Sequence, residues 1–113
     1  MERLHFELPG DHTRPRFAPV LVGVVGSGNL EVLLEPGGEP RLCLVDIHTS
    51  ARGFGPIWEA VVRNFQRQHN LAGIAVSIND MGATPAVVSL RLDQAVASLP
   101  ALSATASKDG GEA

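Results

Sequence analysis

Gly26-Ser27-Gly28-Asn29 separates two apolar runs, Val20-Leu21-Val22-Gly23-Val24-Val25 before it and Leu30-Glu31-Val32-Leu33-Leu34 after it. Runs rich in Val and Leu favour extended backbone, and a glycine-rich break lets the chain reverse at once. The pattern therefore predicts two antiparallel strands, about 18–25 and 29–35, joined by a tight hairpin turn. Ser27 then stands at the tip of a rigid element with its hydroxyl in water. Gly26 and Gly28 leave room on both sides, so something bulky could be attached there without disturbing a core.

Other segments supply the rest of a sheet. Arg3-Leu4-His5-Phe6-Glu7-Leu8 alternates polar and apolar, which puts Leu4, Phe6 and Leu8 on one face of a short edge strand. Pro9-Gly10-Asp11-His12 ends it, and Arg14-Pro15-Arg16 reads as a loop. Glu35-Pro36-Gly37-Gly38-Glu39-Pro40 is a looser turn, followed by a strand from Arg41 to Ile47. Ile74-Ala75-Val76-Ser77-Ile78 is a further strand, and Asn79 to Pro85 a loop. Val88, Leu90 and Leu92 alternate with Ser89 and Arg91 and predict a last strand.

One long helix is expected. Ile57, Trp58, Val61, Val62 and Phe65 recur at helical spacing over about 56–69. Pro56 suits the first turn, where its missing N–H costs nothing, and Asn70 suits the stop. Trp58, Val61, Val62 and Phe65 should face the sheet, with Arg63, Gln66 and Arg67 in water. Asp93 could cap a short C-terminal helix to about 99. The expectation is an α+β domain over 1–99: a mostly antiparallel sheet of about five to six strands, one long amphipathic helix and a short C-terminal one. The tail 100–113, rich in Ala, Ser, Thr and Gly, reads as disordered.

Composition narrows the functional classes. A chain of 113 residues suits one domain with a modest core, and 44% hydrophobic residues suffice to fold it. The net charge of -3 argues against a nucleic-acid binder, which would show a basic face. No stretch approaches the roughly 18 consecutive apolar residues of a membrane helix. The start Met1-Glu2-Arg3 lacks the apolar segment of a signal peptide, so a cytoplasmic location is expected. The single cysteine, Cys43, excludes an internal disulfide and reads as a buried strand thiol within Leu42-Cys43-Leu44-Val45.

The familiar chemical motifs fail. Gly23 to Gly28 has Walker-A spacing, but Asn29 replaces the lysine and a strand follows. No helix opens on these glycines as a dinucleotide site requires, and they adjoin Ser27 too closely for a nucleophile elbow. His5, His12, His48 and His69 sit in separate elements without an accompanying motif. A hydrolase built on Ser27 would need one of them within hydrogen-bond reach. Asp46 and His48 share a strand face, but two ligands are too few for zinc.

The segment from Val22 to Val32, centred on Gly26-Ser27-Gly28-Asn29, resembles the signature of the acyl carrier (delta) subunits of bacterial malonate decarboxylase. A second match is Asp80-Met81-Gly82-Ala83-Thr84-Pro85-Ala86-Val87-Val88 with Leu90-Arg91-Leu92-Asp93-Gln94-Ala95 behind it, and the similarity runs over about 3–98. The resemblance implies a non-catalytic carrier. Ser27 would hold 2'-(5''-phosphoribosyl)-3'-dephospho-coenzyme A through a phosphodiester, with Gly26 and Gly28 clearing its approach. The arm's thiol would bear acetyl and malonyl while malonate is decarboxylated. The chemistry would belong to partners: an acyl transferase, a pair of carboxy-lyase subunits and, for loading, a prosthetic-group transferase. Asp80, Gly82 and Thr84 would contact the arm or a partner; the alternative is an ordinary turn in which Asp80 bonds its own backbone. Competing readings are the acyl carrier subunit of citrate lyase and an interaction domain without cofactor.

Overall fold

The structure, a computed structural model, describes residues 1–13 and 16–100. Arg14 and Pro15 of the expected loop, and the tail beyond Pro100, lie outside the described residues. Five strands and two helices follow in the order β1 (Glu2–Pro9), β2 (Val20–Gly23), β3 (Leu30–Pro36), β4 (Leu42–Thr49), α1 (Gly55–His69), β5 (Ile74–Asp80) and α2 (Pro85–Ala97). They form one sheet in the order β1-β4-β5-β3-β2. Three of its pairings are antiparallel; β4 and β5 run parallel, because α1 carries the chain back between them.

Period-two alternation places the core on one face. Leu8, Cys43, Val45, Ile47, Ile74, Val76, Ile78, Leu30, Val32 and Leu34 are buried beneath the helices. Their strand neighbours His5, Glu7, Asp46, His48, Ser77 and Glu31 are exposed or half-buried. Each fully buried aliphatic side chain contributes about 1.5–3 kcal/mol, set against the entropy of ordering the chain. Cys43 is fully buried, and loss of solvation pushes its thiol up to about 12. As a nucleophile it is inert.

Helix α1 lies where its spacing predicts. Pro56 occupies its first turn, and Asn70 ends it in the left-handed conformation at φ 50°. Trp58, Val62 and Phe65 are buried, Val61 is half-buried, and Ile57 is exposed. Gln66, expected in water, is buried. Its amide donates to the carbonyls of Pro9 and Leu71, both at 2.8 Å, and accepts from the Leu71 N–H at 3.1 Å. A polar side chain on the buried face is retained because every group of its amide finds a backbone partner.

Two expectations need correction. The strand read at 88–92 is helix: α2 begins at Pro85, and Asp93 sits inside it rather than capping it. Thr84 is the cap, its hydroxyl accepting from the Val87 N–H at 3.3 Å, and Pro85 follows in the first turn. Val88, Leu92, Ala95 and Leu99 are buried at helical spacing, while Leu90 is exposed. The hairpin between β2 and β3 is also looser than expected. β2 stops at Gly23, and residues 24–29 form the connection. Gly23 has φ +86°, and a Cβ there would fall 2.2 Å from the Leu30 carbonyl oxygen, so the strand breaks off where only glycine fits.

Candidate functional site

Ser27 occupies the second position of a closed turn. The Asn29 N–H donates to the Gly26 carbonyl at 2.9 Å, and Gly28 takes φ +73° at the third position. Among the described residues Asn70 is the one non-glycine with positive φ, so Ser27 keeps an ordinary backbone. This is type II geometry, in which the third residue must turn left-handed and glycine does so without strain. Ser27 and Gly28 are exposed, and a Cβ built on Gly26 or Gly28 would meet nothing within 4 Å. The serine side chain therefore projects from the protein with open space on both sides.

The backbone of this turn is tied to the segment after β5. The Gly28 N–H donates to the Met81 carbonyl at 2.8 Å, and the Met81 N–H donates back to the Asn29 carbonyl at 3.0 Å. These bonds extend the β3–β5 ladder past its last pair, Leu30 with Asp80. The serine turn thus joins the Asp80–Thr84 segment through Gly28 and Asn29 at one end of the sheet, although 52 residues separate Gly28 from Asp80.

Asp80 organises that loop from inside. It is 5% exposed, and its carboxylate accepts from the Thr49 hydroxyl at 2.8 Å, the Gly82 N–H at 3.2 Å and the Ala83 N–H at 3.0 Å. A buried carboxylate is tolerable when hydrogen bonds satisfy it in this way. Its oxygens are committed to the protein, which is the geometry of a side chain shaping its own turn. Gly82 and Thr84 are exposed on the outside of the same loop.

Arg91 was not among the site residues expected from sequence. Its Nε donates to Asn29 Oδ1 at 3.2 Å, and the same oxygen accepts from the Leu30 N–H at 2.8 Å. Its Nη1 donates to Gln94 Oε1 at 2.9 Å. A guanidinium accordingly stands at the base of the serine turn. Reading 88–92 as a strand hid it, because only a helix starting at Thr84-Pro85 turns Arg91 toward β2 and β3. The Thr-Pro start signal was present in the sequence.

The histidines lie elsewhere. His5 bonds Asp46 Oδ1 at 2.8 Å and Glu7 Oε2 at 3.1 Å on the helix-free face, and these bonds, the one to Asp46 foremost, hold its pKa above the usual histidine range. His69 bonds Asp93 at 2.9 Å, joining α1 to α2. Among the described residues no hydrogen bond links a histidine to Ser27, and no group of three or more His, Cys, Asp or Glu is placed to hold a metal. No helix among them is long and apolar enough to cross a membrane.

Ser27 is thus an exposed serine on an open turn, and among the described residues no hydrogen bond joins it to a histidine. Comparison with known proteins gives the family of the chain. The family model of the malonate decarboxylase delta subunit matches residues 18–99. A malonate decarboxylase acyl carrier protein of Burkholderia cepacia is 68% identical over 97 residues, covering 86% of this chain and 89% of that protein. One from Stenotrophomonas maltophilia (strain K279a) is 54% identical over 101 residues, covering 88% and 94%. The fold is also similar to a chain in the crystal structure of a Pseudomonas malonate decarboxylase hetero-tetramer in complex with malonate. There the TM-score is 0.76 and the identity 41%, over 84% of this chain and 95% of that one. The chain belongs to the malonate decarboxylase delta subunit family, the acyl carrier subunits of that enzyme, and is a carrier rather than a catalytic subunit.

Proposed function

We propose that Ser27 carries 2'-(5''-phosphoribosyl)-3'-dephospho-coenzyme A as a phosphodiester, and that this chain presents the arm to an acyl transferase and a carboxy-lyase pair during conversion of malonate to acetate and carbon dioxide. The observation that carries the reading is the serine turn: exposed hydroxyl, flanking glycines with empty space, and a backbone locked by the Met81 ladder. When bound, the group supplies a thiol on a long tether, on which acetyl and malonyl are held as thioesters.

The residues around the turn suit such a group. Arg91 stands at the turn's base through Asn29, where a guanidinium favours the negative charge of a phosphodiester. Val24, Val25 and Met81 are exposed apolar side chains beside the serine. They give a modifying enzyme or a catalytic partner an apolar surface to grip while Ser27 itself stays clear. Ser27 needs no base from its own chain, because the prosthetic-group transferase supplies one during loading. The rigid backbone holds the attachment point in one orientation, so that motion is left to the arm.

Intact mass tests this reading directly. Protein co-produced with the decarboxylase operon should gain one adduct of the mass of the phosphoribosyl-dephospho-coenzyme A group, mapping by peptide fragmentation to Ser27. An unmodified chain from that source, or an adduct on another residue, contradicts it.

A further inference from the structure

A cavity of about 210 Å³ opens between the two helix N-termini, at the carboxyl ends of the parallel strands β4 and β5. Phe54, Ile57, Trp58 and Val61 line it from α1 and the residue before it, and Ala83 and Val88 line it from the opposite side. Gly82 lies on its rim, next to Met81, whose carbonyl accepts the Gly28 N–H at 2.8 Å. The rim is therefore hydrogen-bonded to the neighbour of Ser27. The ends of parallel strands around a crossover helix are a recurrent ligand position, because the chain diverges there and leaves a crevice.

We infer that this cavity shelters the neutral thiol or acetyl end of the arm, a binding site within the carrier itself that rests on the attachment of that arm to Ser27. Three features select this occupant. The volume is below the roughly 300–1,000 Å³ of sites for drug-sized molecules, which suits the narrow tip of the arm and excludes its sugar or nucleotide portions. The lining is mostly apolar, and a thiol or thioester carbonyl bonds water only weakly, so an uncharged tip enters at far smaller cost than a charged one. Asp80 also lines the cavity, with its carboxylate already satisfied by Thr49, Gly82 and Ala83. A malonyl carboxylate would meet apolar walls and a second carboxyl group, with no lysine or arginine among the lining residues to pair it, which disfavours its burial. The cavity thus keeps the neutral arm folded back and leaves the malonyl form extended toward its partner.

Ellman's reagent reads this in the native protein. Its disulfide is attacked by a thiolate, forming a mixed disulfide and releasing one coloured thiolate. Cys43 is fully buried with its thiol pushed up to about 12, so it stays silent and the arm supplies the signal. Protein confirmed by mass to carry the adduct on Ser27 is compared with loaded Val61→Phe, which fills the cavity from α1, and loaded Ile57→Trp, which narrows its mouth at an exposed position and spares the core. The wild-type arm should react at least threefold more slowly than free pantetheine, and both variants should recover most of that difference. Equal rates for wild type and folded variants would overturn the inference while leaving attachment intact. Equal rates combined with weaker decarboxylation by the variants would also overturn it, assigning the cavity to a partner subunit. Absence of the adduct would overturn attachment, and the sheltering site with it.

Discussion

Two loops meet at one end of the sheet and are built in opposite ways. The connection 24–29 is held mainly by its backbone: the turn closed by Asn29, the two bonds to Met81 and the break at Gly23, with the Asn29 side chain adding bonds from Leu30 and Arg91 at its base. The Ser27 side chain at its tip takes no part in holding it. The segment from Asp80 to Thr84 shares the two Met81 backbone bonds but owes its shape mainly to side chains. A buried carboxylate gathers Thr49, Gly82 and Ala83, and a threonine hydroxyl caps α2. The difference shows how a fold can offer a residue for chemistry without weakening itself. Structural demands are moved to the neighbour, and the presented residue is released from them.

The contrast predicts unequal costs. Asp80→Ala should have the largest effect, about 2–4 kcal/mol, because it strips an acceptor from the Thr49 hydroxyl and from two backbone N–H groups. A urea denaturation midpoint measures it. An unchanged midpoint would mean that this loop, like its neighbour, is held mainly by backbone, and the contrast would fail. Gly23→Ala comes next, at about 1–3 kcal/mol, since alanine at φ +86° is strained and its Cβ would strike the Leu30 carbonyl. The same denaturation series sharpens the comparison. It locates the cost of the serine loop in its stem, and a null result would show that the stem can re-form with a different backbone.

Much of this was legible in the chain before the fold was known. Strand alternation in Leu4-Phe6-Leu8 and the 3.6-residue recurrence from Trp58 to Phe65 each admit one period and one buried face. The exposed turn position of Ser27 was legible because two glycines around a serine between apolar runs leave few structural alternatives; its role rests on the family resemblance. The segment 88–92 was not, since Val-Ser-Leu-Arg-Leu fits both periods over five residues. The choice rests on its neighbours Thr84-Pro85 upstream and Ala95 downstream. With that helix went Arg91, whose place beside Asn29 depends on a contact across 62 residues that no local pattern encodes. The buried position of Gln66 was hidden in the same way, as its partners Pro9 and Leu71 come together only in the folded chain.

The smallest structural effect belongs to Ser27→Ala, within about 0.5 kcal/mol of wild type, because an exposed hydroxyl is lost from a turn that its backbone maintains. The same substitution decides whether Ser27 carries the arm, when the variant replaces the native carrier in the complete decarboxylase complex. The denaturation midpoint should be unchanged, the intact mass should show no prosthetic adduct, and a complex free of wild-type carrier should lose malonate decarboxylation. Decarboxylation at the wild-type rate by that complex would contradict this role of Ser27.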